Sequence, residues 1–297
     1  MVRLSDVALV SFSTSDGVAL DGALWRPHDD PRAALIHLHP KGGNFYTGPS
    51  RFLPDESSDA PLLHFSINMR CHDLGTTRSD LPSGDLFRDT AAFGRGASVD
   101  GGMWEDTERG HIDVDAAIAV VREHTDAPIF LTGHSSGGFY VSVVAAQRPE
   151  IAGRVFLSPL TSNKAALPAW FSSPEELEET IAQARAMVAD GRGALLIPVP
   201  HWYYGISAAS LVQRVDEPDN LWTDALRSVD RPTLMLWGDQ ESRAQLWAHE
   251  LAESGATFTR SYEVKNADHH YLGHETEVAG VVCDFVLDSL TQPRPGE

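Results

Sequence analysis

The sequence predicts an α/β fold with a central, mostly parallel sheet flanked by helices. Three observations support this prediction. Short apolar runs recur along the chain, each followed by glycine or polar residues, as buried parallel strands require. Helical patterns lie between these runs, which is typical of βαβ units. The first two runs alternate around a Ser15-Asp16-Gly17 turn, which predicts an antiparallel hairpin that makes the sheet mixed.

The predicted strands and helices alternate along most of the chain. After the hairpin, strands are predicted at residues 33–39, 61–67, 128–133, 154–159, 232–238 and 256–264. Helices are predicted at residues 112–124, 138–147, 243–253 and 277–290. One segment, residues 161–228, is too long for an ordinary connection between two strands. We therefore expect a core formed by residues 1–160 and 229–297, with an inserted helical cap at residues 161–228.

The composition excludes several classes of function. The chain has 297 residues and a formal net charge of −19, without a cluster of Lys and Arg. Nucleic acids and anionic membranes attract such clusters, so neither is expected as a partner. No stretch approaches the roughly 18 apolar residues of a membrane span, and the N-terminus lacks the pattern of a signal peptide. These features predict a cytoplasmic protein, leave a homodimer open and say little about small-molecule substrates.

The segment LTGHSSGGFY contains the pattern Gly-x-Ser-x-Gly, centred on Ser135. It follows a predicted strand and precedes a predicted helix. A sharp turn at this junction lifts the serine hydroxyl clear of the backbone, and glycines are needed at 133 and 137 because a Cβ there would strike a neighbouring strand or helix. The helix N-terminus also places amide dipoles beside developing negative charge. We therefore predict that Ser135 is a nucleophile, with Ser136 the weaker choice.

A serine nucleophile needs a base to remove its proton, and the base needs an acid to orient it. His269 lies in the polar loop KNADHHYLG after the last predicted strand, and its neighbour His270 is the main rival. Two carboxylates in the loop after LMLW, Glu241 and Asp239, are candidates for the acid. Asp268, beside His269, is expected to be a solvated loop carboxylate.

The negatively charged oxygen that forms during acyl transfer needs two backbone N–H donors. One is expected from Ser136, and the other from the oxyanion loop, which we define as residues 39–44 (HPKGGN). Pro40 has no N–H, so Lys41 is the expected donor and Gly42 the alternative. The side chain of Lys41 is expected to lie in solvent, with attraction of an anionic substrate as the alternative.

Neither a metal nor an organic cofactor is expected. His37 and His39 occupy alternate positions of a predicted strand, but no carboxylate–histidine set accompanies them, so both are expected to be structural. The glycine motifs that bind phosphates or dinucleotides do not occur in the sequence. The three aromatic residues at positions 202–204 either line a substrate pocket or pack the cap onto the sheet.

Four segments in order, HPKGG, GHSSGG, WGDQE and ADHH, resemble the α/β-hydrolase superfamily over almost the whole chain. The segments HPKGGNFYTG, INMRCHDLG and MWEDTERGHIDVDAAI are similar to a little-characterised bacterial branch related to fungal siderophore esterases. The superfamily's order of nucleophile, acid and histidine implies Ser135 and His269. Its acid usually stands three residues past the strand-ending glycine, which implies Glu241 over Asp239. The chain departs from the superfamily at Pro40, usually glycine, and at Glu241, usually aspartate.

The resemblance implies a serine hydrolase that cleaves a carboxylic ester or lactone through an acyl-enzyme. The same machinery cleaves amides, thioesters and carbon–carbon bonds, so a hydrolase acting on such a bond of a specialised metabolite is the first alternative. A non-catalytic binding protein on the hydrolase fold is the second alternative. A complete set of serine, histidine and acid favours an enzyme over a binding protein.

Overall fold

The computed structural model describes residues 7–78, 98–201, 204–253 and 259–291. Its strands are β1 (Val7–Ser13), β2 (Ala19–Trp25), β3 (Ala33–Leu38), β4 (Leu62–Ile67), β5 (Thr76–Arg78), β6 (Ser98–Asp100), β7 (Ile129–His134), β8 (Ile151–Leu157), β9 (Leu196–Val199), β10 (Tyr204–Ser207), β11 (Thr233–Gly238) and β12 (Thr259–Val264). Its α-helices are α1 (Pro49–Glu56), α2 (Gly110–Arg122), α3 (Ser136–Gln147), α4 (Pro174–Ala189), α5 (Ala208–Asp216), α6 (Leu221–Arg227), α7 (Ala244–Glu253) and α8 (Glu275–Ser289).

An eight-stranded sheet with the order β1-β2-β4-β3-β7-β8-β11-β12 forms the centre of the molecule. The hairpin β1–β2 is antiparallel and joins β4 in antiparallel orientation. The remaining neighbours in this sheet, in the order β4-β3-β7-β8-β11-β12, are all parallel. The mostly parallel sheet with an N-terminal hairpin is therefore confirmed. Because parallel strands end at one edge, the loops after β3, β7, β8, β11 and β12 meet there.

Helices cover both faces of the sheet, which explains why its central strands are apolar throughout. Alternate residues of β3 point to opposite faces. Ile36 packs in a core with Val114 of α2 and Val141 of α3. Leu35 packs in a second core with Val282 and Phe285 of α8. Full burial of side chains of this size contributes about 1.5–3 kcal/mol each relative to exposure.

The segment between β8 and β11 contains a third core of its own. It includes Leu167, Trp170, Ile206 and Leu211, all buried. Helix α6 instead packs against α3, and its Trp222 belongs to the first core. We refer to residues 161–228 as the insertion. The third core is formed only by the first part of the insertion, before α6. The antiparallel pair β9–β10 was not predicted; Trp202 and Tyr203 lie outside the described residues, as does the Tyr204 side chain.

Local sequence signals fix the helices of the insertion. Ser173 caps α4 by accepting a hydrogen bond from the Glu176 N–H, and Pro174 occupies the first turn, where its missing N–H costs nothing. Ser207 caps α5 in the same way by accepting from the Ser210 N–H. The capped α5 carries Arg214 to the edge of the sheet where the loops meet.

The residues that the structure describes include neither a membrane-spanning helix nor a cluster of metal ligands. None of the described helices is both long enough and apolar enough to cross a bilayer. Within the same ranges, no group of three or more His, Cys, Asp or Glu side chains is arranged to hold a metal ion.

Candidate active site

Ser135 lies between β7 and α3 in a strained backbone conformation, with φ 53° and ψ −119°. Such a conformation costs a non-glycine residue of the order of 1–3 kcal/mol. The Ser135 N–H donates to the Leu157 carbonyl at 3.0 Å, and the Ser135 carbonyl accepts from the Leu160 N–H at 2.8 Å. A Cβ at Gly137 would lie 2.3 Å from the Leu38 carbonyl oxygen, so the turn requires glycine there. The sharp strand-to-helix turn is present as predicted.

His269 and Glu241 form a directed pair at the same edge of the sheet. Nδ1 of His269 lies 2.8 Å from Oε2 of Glu241. Because a carboxylate accepts, Nδ1 carries the proton, and Nε2 is the nitrogen left for proton transfer. The other oxygen of Glu241, Oε1, accepts from the Gly238 N–H at 3.2 Å and from the Ser158 hydroxyl. Both oxygens of this carboxylate are therefore engaged.

The alternative acid, Asp239, lies elsewhere. Its Oδ1 accepts from the Asn266 N–H at 2.8 Å, and its Oδ2 lies 3.8 Å from Nζ of Lys265. Its carboxylate therefore fixes the loop after β12. Glu241 therefore contacts His269, whereas Asp239 contacts the backbone of Asn266.

The rival histidine, His270, is exposed and adjoins the candidate site. Its backbone N–H donates to Oδ1 of Asp268 at 2.9 Å. Asp268 thus shapes the loop that presents His269, a role more specific than the solvated carboxylate expected from the sequence. Only His269 of the two histidines is paired with Glu241.

Ser135 and His269 together line two adjoining pockets, of about 400 Å³ and about 260 Å³. The larger pocket is bordered by the oxyanion loop and by Trp170 and Arg214 of the insertion. The smaller pocket is bordered by residues after β8 and β11, among them Glu241, Ser242, Arg243 and Trp247. The Ser135 hydroxyl makes no hydrogen bond to any of the described residues. Rotation about the Cα–Cβ bond of Ser135 changes the direction of this hydroxyl.

The expected oxyanion donors border the larger pocket. Helix α3 begins at Ser136, so the N–H of Ser136 has no acceptor within the helix. The oxyanion loop turns between Pro40 and Gly43, whose N–H donates to the Pro40 carbonyl at 2.8 Å. Ser136 and Lys41 both line the pocket that contains Ser135. The structure thus brings both expected donor residues to the same pocket.

His39 fixes the start of the oxyanion loop. Its Nδ1 lies 2.8 Å from the Pro40 carbonyl oxygen, and its Nε2 accepts from the Met69 N–H at 3.0 Å. Burial lowers the pKa of His39 to about 4, so its imidazole is neutral. His37 is likewise buried, with Nε2 2.9 Å from Nδ1 of His64. Both histidines make structural hydrogen bonds, as expected.

The predicted solvation of the Lys41 side chain is wrong. Nζ of Lys41 is buried and lies 2.6 Å from Oε2 of Glu105, which also pairs with Arg214. Burial lowers the pKa of Lys41 to about 8. Burial alone would raise the pKa of Glu105, but the charges of Arg214 and Lys41 outweigh it and lower the pKa to about 2. Both partners lie far from Lys41 in sequence, so the motif around Lys41 gives no sign of them.

Three further residues of the site were missed by the sequence prediction. His134 is buried, with Nε2 2.8 Å from the His269 carbonyl oxygen, and thereby supports the loop of the base. The hydroxyl of Ser158 donates to Glu241, and that of Tyr271 lies within hydrogen-bond distance of the Ser158 oxygen and 3.1 Å from the Leu236 carbonyl oxygen. Ser158 directly follows β8, and polar residues at strand ends of this edge are the signal that would have identified it.

Comparisons with known proteins agree with this architecture. A protein-family model described as serine aminopeptidase, S33, matches residues 92–257. Est1E from Butyrivibrio proteoclasticus is similar with a TM-score of 0.68 and 14% identity, over 96% of this chain and 99% of that chain. The same protein with bound ferulic acid gives a TM-score of 0.66 and 16% identity, over 95% and 100%. A highly thermostable carboxyl esterase from Bacillus coagulans, in complex with glycerol, gives a TM-score of 0.66 and 13% identity, over 96% and 99%.

These likenesses confirm the α/β-hydrolase fold that the four sequence segments predicted. No curated protein matches the sequence. The likeness to the branch related to fungal siderophore esterases stays a prediction.

Proposed function

Because the chain belongs to the serine aminopeptidase S33 family of α/β hydrolases, we propose that it is a serine hydrolase that cleaves carboxylic esters or lactones through an acyl-enzyme. The observation that carries this proposal is the pairing of His269 with Glu241 beside the strained Ser135. Ser135 is the nucleophile, His269 the general base and Glu241 the acid that orients it. The N–H groups of Ser136 and Lys41 bind the oxyanion.

In the first half-reaction, Oγ of Ser135 attacks the ester carbonyl while Nε2 of His269 takes its proton. This step requires a hydrogen bond from the Ser135 hydroxyl to Nε2, and catalytic hydrogen bonds of this kind tighten when substrate binds. Glu241 stabilises the imidazolium through Nδ1–H. The tetrahedral oxygen is held by the two backbone N–H groups near the N-terminus of α3 and in the oxyanion loop. Nε2 then protonates the departing alcohol, which leaves an acyl-enzyme on Ser135.

In the second half-reaction, water replaces the alcohol near His269. Nε2 removes a proton from the water, whose oxygen attacks the acyl carbonyl. The same N–H groups hold the second oxyanion. Ser135 departs with the proton from Nε2, and the carboxylic acid product is released as the free enzyme is restored.

The lining of the larger pocket favours an ester over a peptide N-terminus. An aminopeptidase substrate carries a cationic ammonium group close to the scissile bond. The ionisable side chains among the described residues of this pocket are those of Lys41, Arg214, His134, His269 and His270. That described lining includes no Asp or Glu to pair with an ammonium group, and its two cations, Lys41 and Arg214, share the single carboxylate of Glu105 behind the pocket. With one carboxylate for two cations, this lining supports an uncharged or anionic substrate.

We also propose that residues 161–228 act as a cap over the site. Trp170 and Arg214 of this insertion border the larger pocket, and Leu160 directly before it borders both pockets. The first part of the insertion has a hydrophobic core of its own, which supports its description as a distinct unit. In this arrangement the cap sets which groups fit beside Ser135.

The proposal is tested with Ser135→Ala on p-nitrophenyl butyrate and on leucine p-nitroanilide. We expect the wild type to hydrolyse the ester in preference to the anilide. The variant should lose roughly 10³-fold or more in kcat, because it loses the covalent route, while its melting temperature stays unchanged. Ester turnover that survives the substitution would rule out the proposed nucleophile. A preference for the anilide would instead indicate an amide hydrolase.

A further inference from the structure

We propose that Glu105 is a positioning residue that fixes the insertion against the oxyanion loop and thereby sets the position of the Lys41 N–H. This inference rests on the proposed function, because it assigns the Lys41 N–H to the oxyanion. Glu105 is then a second carboxylate, besides that of Glu241, that catalysis requires, and it acts without touching the substrate.

The three charged side chains of this cluster come from three separate elements. Lys41 follows β3, Glu105 lies shortly before α2, and Arg214 lies on α5 of the insertion. Nζ of Lys41 lies 2.6 Å from Oε2 of Glu105, and the same oxygen pairs with the guanidinium of Arg214. The side chains of Lys41, Glu105 and Arg214 are exposed by only 7%, 6% and 1%. One buried carboxylate oxygen therefore joins the oxyanion loop to the insertion.

Further contacts fix the insertion at the same point. The Ser210 hydroxyl, one turn before Arg214 on α5, donates to the backbone carbonyl of Glu105 at 2.7 Å. Arg214 donates to Oδ1 of Asn163 at 2.8 Å, and its guanidinium lies 5.1 Å from the ring centroid of Trp170. Trp170 borders the pocket of Ser135. A displacement of Arg214 would therefore move a wall of the pocket as well as the oxyanion loop.

The negative charge of Glu105 holds the cations of Lys41 and Arg214 together. A neutral glutamine at this position would leave two buried cations, Lys41 and Arg214, facing one another at short range. Removal of one partner from a buried ion pair leaves uncompensated charge, which is strongly unfavourable. Lys41 would move away from Arg214 and carry its own backbone N–H out of position. Because an oxyanion donor acts in the transition state, the effect should fall on kcat rather than on KM.

The cluster also has a pH limit that can be measured. Burial lowers the pKa of Lys41 to about 8, while the pKa of Glu105 is about 2. The charged groups that face Lys41 are Glu105 and Arg214, together with the thiol of Cys71. Between these two pKa values the Lys41–Glu105 ion pair is intact; above about pH 8 Lys41 loses its proton and this pair is broken, while Glu105 stays paired with Arg214. Activity should therefore fall on the alkaline side with an apparent pKa of about 8.

The first experiment compares the pH profiles of kcat for the wild type and Lys41→Arg, with p-nitrophenyl butyrate and a correction for spontaneous hydrolysis. Arginine keeps the charge but does not titrate in this range, so the alkaline limb near pH 8 should disappear. An identical limb in both proteins, or a wild-type profile that is flat up to pH 9.5, would overturn the inference. This experiment does not depend on the folding of a Glu105 variant.

The second experiment compares Glu105→Gln and Glu105→Asp with the wild type at pH 7. We expect Glu105→Gln to lower kcat by between about tenfold and hundredfold, somewhat less than the loss of an oxyanion donor itself, with KM within about threefold. Glu105→Asp, which keeps the charge, should recover part of the loss. The control is Asp115→Asn on α2, which breaks the ion pair with Arg148 away from the pocket and should leave kcat unchanged.

The outcomes separate the inference from the proposed function. A wild type that hydrolyses the ester, combined with a Glu105→Gln variant that folds and retains kcat within twofold, contradicts the inference alone. A loss in the glutamine variant that appears as increased KM without a change in kcat would contradict it as well. Absence of ester hydrolysis in the wild type would instead contradict the proposed function.

Discussion

Ser158 follows β8 and donates its hydroxyl hydrogen to Oε1 of Glu241, whose other oxygen lies 2.8 Å from Nδ1 of His269. With the Ser158 hydrogen on Glu241, the Tyr271 hydroxyl is the donor to the Ser158 oxygen, and it also lies 3.1 Å from the Leu236 carbonyl oxygen on β11. The carboxylate of Glu241 is therefore held from two strands of the sheet. It cannot rotate away from His269 without breaking buried hydrogen bonds.

This relationship predicts that Ser158→Ala lowers kcat about tenfold, because a buried hydrogen bond to a charged group contributes roughly 1.5–3 kcal/mol and only part of this is expressed in the orientation of Glu241. The measurement is kcat and KM for p-nitrophenyl butyrate at pH 7. Ser228→Ala is a suitable control, since that hydroxyl donates to the Ala225 carbonyl on the protein surface. Equal activities in the two variants would show that Ser158 does not support the acid.

Replacement of each candidate acid distinguishes Glu241 from Asp239. Glu241→Gln should lower kcat/KM by roughly 10³–10⁴-fold, because an amide favours the wrong tautomer of His269 and does not stabilise its cation. Asp239→Asn should change kcat/KM by less than threefold, since Asp239 pairs with the Asn266 N–H. Both values come from the same ester assay. A large loss in the asparagine variant with a small one in the glutamine variant would reverse the assignment.

The buried histidines predict that stability falls as the pH drops below 6.5. Burial lowers the pKa of His39 to about 4 and that of His64 to about 3 in the folded state, against 6.5 ordinarily. Below pH 6.5 the unfolded chain therefore binds protons that the folded chain does not, and unfolding becomes easier. Each of these histidines should remove about 2 kcal/mol of unfolding free energy between pH 6.5 and pH 5.

Urea unfolding at several pH values measures this loss. His64→Gln removes one of the titrating groups, so its unfolding free energy should decline by about 2 kcal/mol less over the same interval. A wild type whose stability is constant from pH 6.5 to pH 5 would contradict the assignment of these histidines as neutral and buried.

Two glycine substitutions test the packing around the nucleophile. In Gly137→Ala the new methyl group would overlap the Leu38 carbonyl oxygen at 2.3 Å, so the backbone of the turn must move. We expect an unfolding free energy lower by at least about 1–3 kcal/mol and a large loss of activity. Gly280→Ala on α8 meets no atom within 4 Å and should stabilise the protein by about 0.5–1 kcal/mol with activity retained. Denaturant unfolding of both variants decides this, and equal stabilities would contradict it.

The sequence predicted the parts of the site that depend on local patterns. The position of Ser135 follows from glycine spacing between an apolar strand and a helix, and the loop of His269 follows directly after a strand. The choice of Glu241 over Asp239 came from the resemblance, because two carboxylates two residues apart are equivalent in pattern. The structure separates them by the turn after β11, which sends one to His269 and the other to Asn266.

The parts that the sequence did not predict depend on distant contacts. Lys41 looks like an ordinary loop lysine because its partner Glu105 is 64 residues away in the chain and Arg214 lies further still. Folding of the chain brings Lys41 and Glu105 together, and the insertion adds Arg214. Likewise α6 carries no local sign that it packs on α3.

The proposed function requires that Ser135 forms a covalent acyl intermediate with the help of His269. Mass spectrometry of the protein after reaction with a fluorophosphonate, followed by peptide mapping, tests this requirement. We predict one adduct per chain, on Ser135, that is absent in Ser135→Ala and much slower to form in His269→Ala, while Ser136→Ala is still labelled. An unlabelled wild-type protein, or an adduct on Ser136, would contradict it.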